Sequence, residues 1–455
     1  MNSPFNRRDP ISSKQLAVTD VSGARRLSPP PAVKPAPNVE PDVFDEDAGA
    51  SRWMKPFLAL KEKEFRDLWL GMLPGTMGMQ MGMITNGYLA YELTNSAAAI
   101  GFVTLGFGIP MLLFALIGGV VADRVSKRRV IMITQSVIGL CAVALAVLVL
   151  TDLISIWLMT AVAFVMGTCF AFNMPARQSF VAEIISRKRL MNAIALNNAG
   201  MNMSRVVGPA LAGFLIGKPW VGIGGIYILM ACIYVFVVMS LFRVRDRGAS
   251  PNPGKTSGYR SLVDGLSYIK GNSVVLALLM LAFAPVILGM PYQALMPVFA
   301  EDVFDVGASG LGWLLAVNGI GALLGSLAVA SMGGASRRGL IQLGLGVTFG
   351  VSLAVFAFSG RFDVAMVALL VVGVTSAAYM ALNSTLIMDK TEPQYHGRVM
   401  SVYMLTFSAT PLAVTPFGAL ADAFGAPVTI GIGGLLLVAV VAIFGTLHPS
   451  YRHLK

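Results

Sequence analysis

The chain has 455 residues, 56% of them hydrophobic and 13% charged, with a formal net charge of +11 and a mean hydropathy of +0.72. Soluble domains carry about 25% charged residues, so a soluble enzyme or binding domain is excluded, and the apolar residues suffice for about a dozen spans of ~20 residues each. The positive balance reads as loops facing anionic lipid, not as a nucleic-acid surface.

In chain order, residues 1–55 are rich in Pro, Ser and charge, including Ser28–Pro37. Such a segment cannot bury a core and is expected to be a disordered cytoplasmic tail without a secretory signal. An amphipathic lead-in, Phe57 to Arg66, feeds the first apolar run. Runs follow at 68–91, 98–122, 129–150, 153–175, 192–216 and 221–242, then at 273–298, 309–331, 338–358, 364–388, 399–421 and 426–446. Each is long enough to cross a bilayer as a helix, the conformation that keeps backbone groups paired in lipid. The expected architecture is an all-α polytopic protein of 12 transmembrane helices in two six-helix bundles, 56–245 and 273–447. A linker at 246–272 and a short tail at 448–455 complete it. Tyr259, Leu262, Val263, Leu266 and Ile269 recur at helical spacing in the linker, which predicts a helix on the membrane surface.

Between the second and third runs stands Gly118-Gly-Val-Val-Ala-Asp123-Arg-Val-Ser-Lys-Arg-Arg129, read as an interfacial loop because its charges cannot stay in hydrocarbon. Basic residues recur in every second loop: Arg124, Lys127, Arg128 and Arg129; Arg177, Arg187, Lys188 and Arg189; Arg243, Arg245, Arg247, Lys255, Arg260 and Lys270; Arg337 and Arg338; Lys390 and Arg398. The alternate loops hold Lys218 and Arg361 against Asp152, Glu301, Asp302, Asp305, Asp363 and Asp422. By the positive-inside rule both termini are expected in the cytoplasm. The order of polar, acidic, basic and Gly/Pro-rich residues over Arg177–Gly213 returns over Asn383–Ala421, as two parallel repeats would give, with a cavity at their interface.

Gly119-Val-Val-Ala-Asp123-Arg124-Val-Ser-Lys127-Arg128-Arg129 resembles the signature between spans 2 and 3 of the major facilitator superfamily, with Ser126 where the general pattern has Gly. Pro175-Ala-Arg177-Gln178, Asn192–Asn197, Asn202-Met-Ser-Arg205-Val-Val-Gly208-Pro209-Ala-Leu-Ala-Gly213 and Gly397-Arg398-Val-Met-Ser401 resemble the enterobactin-exporter-like and macrolide-efflux-like branch. The second-half echo, Gly333-Gly334-Ala-Ser-Arg337-Arg338, lacks the acid. The resemblance covers about 56–446 and implies a plasma-membrane exporter of a small amphipathic molecule (a siderophore, macrolide or other drug) working by alternating access, with H+ as counter-ion. It also implies a gate of Gly119, Asp123, Arg124, Lys127, Arg128 and Arg129, with Asp123 meeting span 11 near Arg398.

The remaining expectations come from where polar groups fall. Uncharged polar residues within spans are candidates for the substrate cavity: Gln80, Asn86, Asn202, Gln293, Asn318, Tyr379 and Asn383. Each could equally serve as an interhelical bond. Arg205 falls mid-span, where a bare charge costs about 2.5–3.5 kcal/mol; it either lines the cavity or pairs structurally, with Glu183 and Asp123 as available acids. No Asp or Glu lies mid-span, and His396, His448 and His453 lie outside the runs, so Glu92 at an outer helix end is the candidate for proton coupling. Met77, Met79, Met81 and Met83 alternate between two faces, which suits adaptable packing better than a Cu(I) path. Cys141, Cys169 and Cys232 fall inside apolar runs, so neither disulfide nor metal site is expected. No cofactor and no enzymatic constellation is expected, and the partners are a small-molecule substrate, the bilayer and H+, with the chain acting as a monomer. Nutrient import on the same fold, or a non-transporting receptor, are the competing readings.

Overall fold

A computed structural model describes residues 55–186, 189–245, 248, 258–332, 337–407, 409–448 and 451. The expected disordered tail, the loop residues Arg187 and Lys188, most of the first half of the linker and Gly333–Ser336 lie outside that set. The described residues are helical throughout, as bilayer chemistry demands of a chain this apolar. A 3₁₀ turn (Lys55–Lys61) leads into α1 (Lys63–Thr94), α2 (Ala97–Arg124), α3 (Lys127–Leu150), α4 (Ile156–Ile184), α5 (Leu190–Ile216) and α6 (Gly222–Phe242). The linker helix α7 (Gly258–Gly271) precedes α8 (Ser273–Ala284), two short helices α9 (Pro291–Ala294) and α10 (Met296–Val298), and α11 (Gly307–Ser331). Then come α12 (Arg338–Phe358), α13 (Phe362–Lys390), α14 (His396–Phe407), α15 (Thr410–Phe424) and α16 (Ala426–Leu447). Among the described residues, 10 helical stretches are long and apolar enough to cross a membrane; α1 and α5 are as long but more polar.

Two stretches are broken where a single span was expected. Over 273–303, α8 gives way to π turns at Pro285–Gly289 and Phe299–Val303, with α9 and α10 between them. Pro285, Pro291 and Pro297 each remove an N–H and crowd the preceding turn, so the backbone widens there instead of continuing as regular helix. The span at 399–421 divides into α14 and α15, with Pro411 at the start of the second.

The loop expected at Gly118–Arg129 shrinks to two residues, Val125 and Ser126. Ser126 is the reason: its Oγ accepts the Arg129 N–H (3.4 Å) and caps α3. Asp123 and Arg124 therefore close the last turn of α2, and Lys127–Arg129 form the first turn of α3. All five residues still stand at helix ends. Arg177, expected in a loop, is buried within α4 instead.

The repeat is visible in the packing. In the first half α2 crosses α4 and α3 packs on α6; in the second, α11 crosses α13 and α12 packs on α16. The two equivalent crossings are equally tight. A methyl group at Gly118 would lie 2.2 Å from Ala171 O, and one at Gly325 would lie 2.1 Å from Val374 O. Small residues permit such backbone approach where lipid offers no hydrophobic drive between helices. Loops at one end of the helices hold Arg124, Lys127, Arg189, Arg243 and Arg337, those at the other Asp152, Glu301, Asp302, Asp305 and Asp422; these are the basic and acidic ends below.

Gly118 and Gly119 should therefore behave oppositely. Gly118→Val drives a side chain into the α4 backbone and is expected to destabilise the fold by about 1–3 kcal/mol. Gly119→Val is expected to leave the thermal midpoint of the detergent-purified protein unchanged, because nothing lies within 4 Å of its added Cβ. Equal midpoints for the two variants would contradict this packing.

Candidate functional site

The two halves meet along two seams, α2 against α15 and α5 against α11. Glycine brings the backbones together at each. A Cβ on Gly101 would lie 2.6 Å from Thr415 Cα, and one on Gly418 would lie 2.4 Å from Ala97 O. On the other seam a Cβ on Gly213 would lie 2.5 Å from Gly312 N, and one on Gly319 would lie 2.4 Å from Val206 Cγ1. These positions fall in the first part of α2 and α11 and the last part of α5 and α15, so both seams close over the acidic half of the molecule.

Hydrogen bonds finish that closure. Asp422, at the end of α15, accepts from Ser96 Oγ (2.5 Å), Ala97 N (2.6 Å) and Ala98 N (3.1 Å). A carboxylate from one half thus caps a helix N-terminus of the other, where free N–H groups and the helix dipole both favour negative charge. Tyr88 Oη donates to Glu301 Oε1 (2.7 Å), and Tyr91 Oη donates to Asp302 Oδ2. Glu92, exposed on α1, lies close enough for its charge and that of Glu301 to act on each other. This latch was not anticipated from the sequence, although the acids in the alternate loops marked its location.

Toward the basic end the contact between the halves thins: among the described residues α1 and α4 make no extensive contact with α8 and α13, while α2 touches the linker helix α7. The apolar core at the basic end of the first half, with Phe65, Ala122, Phe180 and Leu241, is a cluster separate from the main one. The linker helix is tied to the second half there: Tyr268 stacks on Tyr395 (4.2 Å between centroids), and Arg398 Nη1 lies 3.7 Å from Asp264 Oδ2.

The expected gate residues spread over separate contacts. Lys127 is buried and pairs with Glu183 across α3 and α4 (2.5 Å). Arg128 Nε donates to Leu241 O (2.9 Å) at the end of α6 and sits 5.9 Å over the Phe242 ring, so both serve as more than topology signals. Arg398 meets Asp264 in this state. Arg129 and Arg124 stand at the basic end beside Gly119 and Asp123.

The expected cavity residues divide into two groups. Asn86 accepts from Tyr227 Oη (2.6 Å), tying α1 to α6. Tyr379 is buried and donates to Leu281 O (2.8 Å). Asn383 is buried and accepts from Gln342 Nε2 (2.7 Å), whose Oε1 accepts from Tyr451 Oη (2.6 Å). Burial holds the Tyr451 phenol well above its ordinary pKa. These three candidates thus make interhelical bonds. Asn318 accepts from Tyr292 Oη (2.9 Å), to which the exposed Gln293 also donates (3.3 Å). Gln80, Asn202, Arg205 and Gln293 keep accessible surface, with Gln80 against Gly208 of α5.

The four faces of α5 fix where Arg205 stands. Gly200 and Gly208 lie against α1, Val206 and Gly213 against α11. Met203, Val207 and Leu211 are exposed on the outward face. The remaining face, between those on α1 and α11, presents Asn198, Asn202 and Arg205, all exposed. Their spacing of four and three residues makes one stripe. Asn198 was missed by reading residues singly; the i, i+4, i+7 pattern was the available signal.

The family model described as transmembrane secretion effector matches residues 54–450. The multidrug efflux pump Tap of Mycolicibacterium fortuitum is 28% identical over 78% of this chain and 89% of its own length. Macrolide efflux protein A of Streptococcus pyogenes is 22% identical over 84% of this chain and 95% of its own. The enterobactin exporter EntS of Shigella flexneri is 23% identical over 81% and 82%. Among solved structures, a bacterial homolog of the lysosomal transporter Spinster, inward-facing and unoccupied, superposes with a TM-score of 0.65 at 13% identity, covering 86% of this chain and 95% of that one. That likeness bears on the fold alone.

If Asp422 fastens the acidic end, Asp422→Ala removes a cap worth about 1 kcal/mol, or roughly fivefold in the closed population. In a cysteine-free background carrying Thr415→Cys, labelling by a membrane-impermeant maleimide from the acidic side is expected to quicken by about that factor. An unchanged rate would show that the seam closes without Asp422.

Proposed function

The chain belongs to the transmembrane secretion effector family of the major facilitator superfamily, a family of transporters and not of enzymes, and on that premise we propose that it is an exporter driven by an ion gradient. Its cargo in this reading is a small amphipathic molecule, such as a siderophore, macrolide or other drug, expelled across the bacterial inner membrane in exchange for protons. The observation that carries the reading is the split closure: two repeated halves sealed along the acidic end and parted at the basic end. A protein held at one end and loosely joined at the other, hinged on close backbone seams, suits alternating access by rocking. The charge census supports twelve spans with both termini and the open basic end in the cytoplasm. In that orientation the structure corresponds to the state that loads cargo from inside. The efflux relatives favour export over import by analogy.

Asp123 is the proposed gate residue of the opposite state. It stands in the last turn of α2, four residues before α3 begins at Lys127. Closing the basic end would bring that turn toward the start of α14, where Arg398 now meets Asp264. Glu92 is the proposed coupling carboxylate, because it stands beside the Glu301–Tyr88 bond of the latch, and a proton arriving there reports on which end is open. One protomer suffices for this cycle.

Inverted membrane vesicles test the proposal. Accumulation of a drug, macrolide or catecholate siderophore that is abolished when an imposed proton gradient collapses is the expected result. Accumulation unaffected by that collapse would contradict proton exchange, and efflux from the vesicles would contradict export. Asp123→Asn is expected to slow accumulation about tenfold with insertion intact, a loss of roughly 1.4 kcal/mol. Glu92→Gln should remove gradient dependence while counterflow without a gradient persists. Wild-type behaviour in either variant removes that residue from the mechanism.

A further inference from the structure

The stripe on α5 identifies the kind of cargo. Asn198, Asn202 and Arg205 are exposed on the face of α5 that opens between the halves, and none has a hydrogen-bond or ion partner among the described residues. Arg205 lies about 22 Å along α5 from its basic end. Gly208, one turn further on, packs on Met77 and Gln80 of α1, so Arg205 stands level with Thr76. Thr76 Oγ1 accepts from Nη1 of Arg177 (3.2 Å), which is buried in α4. Two guanidinium groups therefore share one level deep in the first half.

Counter-charge is missing at that level. Every described Asp and Glu of the membrane-spanning helices stands near a helix end, and Glu183, one of the two acids available to Arg205, lies 2.5 Å from buried Lys127 instead. An uncompensated arginine in the membrane interior is costly unless water or a ligand supplies what the protein does not. Guanidinium binds oxyanions in a bidentate fork, and flanking amides can satisfy the remaining oxygen lone pairs. We infer that Asn198, Asn202 and Arg205 form an anion subsite and that the transported molecule is an amphipathic anion bearing a carboxylate or similar oxyanion. The inference rests on the export reading for the word transported, whereas the subsite itself stands on geometry and charge.

The full-length protein, purified in detergent, is dialysed to equilibrium against pyrenebutyrate and, separately, its neutral methyl ester. Wild type is expected to hold the acid at least about tenfold more tightly than the ester, as one charge-assisted contact provides. Arg205→Gln is expected to erase that preference while leaving ester binding unchanged, and Arg205→Lys to keep most of it. Should Arg205→Gln fail to fold, the double variant Asn198→Ala, Asn202→Ala takes its place, with an expected acid-specific loss of about fivefold. Equal binding of acid and ester by wild type, or a preference that survives loss of the side chains, overturns the subsite. Inverted vesicles separate this from the parent reading. Arg205-dependent binding without accumulation contradicts export and leaves the subsite standing; equal accumulation of acid and ester upholds export and overturns the subsite.

Discussion

The structure depends on backbone contact between its halves over the acidic end. Gly101, Gly213, Gly312, Gly319 and Gly418 bring the α2 and α15 backbones and the α5 and α11 backbones close together, with Phe214 and Trp313 packed edge to face (5.1 Å between centroids) beside the second seam. Such contacts are mostly van der Waals in nature, a kind of packing on which halves can rotate. Seams of this kind hold one end without fixing the other. The polar latch then selects which end is held: Asp422 on the start of α2, Glu301 and Asp302 on two tyrosines of α1. All three acids belong to the second half, and each accepts from neutral donors of the first. Exchange of a few such bonds can shift a two-state balance, since each is worth only about 1–3 kcal/mol.

Charge placement follows from the same constraint. A helix that spans lipid confines its charges to the ends, and this chain keeps its acids there strictly. Lys127 meets Glu183 near the basic end, and Arg128 closes the carbonyls of α6, so the residues that direct topology also fasten the first half internally. Arg177 and Arg205 break the pattern. One donates to Thr76 and is packed; the other faces open space. That asymmetry separates a structural arginine from one available to cargo.

Much of the fold was legible because bilayer chemistry is severe. Apolar length located most of the helices, missing the last turns of α4 that carry Arg177 and run to Ile184, and the alternation of Arg and Lys with Asp and Glu marked the two ends. The proline-bearing stretches over 273–303 and 399–421 read as single spans because apolar content continues through them, whereas hydrogen bonding does not. Ser126 read as a departure from a motif, and its capping role needed the helix geometry. The site was less legible. Asn86, Tyr379 and Asn383 could not be told from cavity residues, since an amide paired across helices and one facing water look alike in one dimension. The Asn198 stripe carried a local signal in its i, i+4, i+7 spacing, but the role of Asp422 needed partners more than three hundred residues away, which no local pattern carries.

The central claim is that the two ends open in opposition, and distances between spin labels test it most directly. One pair, replacing Leu93 and Phe424, reports on the acidic end; another, replacing Val120 and Met404, reports on the basic end. All four positions are exposed. The account predicts a short first distance with a long second one, and an exchange of the two under an imposed proton gradient with cargo present. Both distances shortening or lengthening together would contradict it.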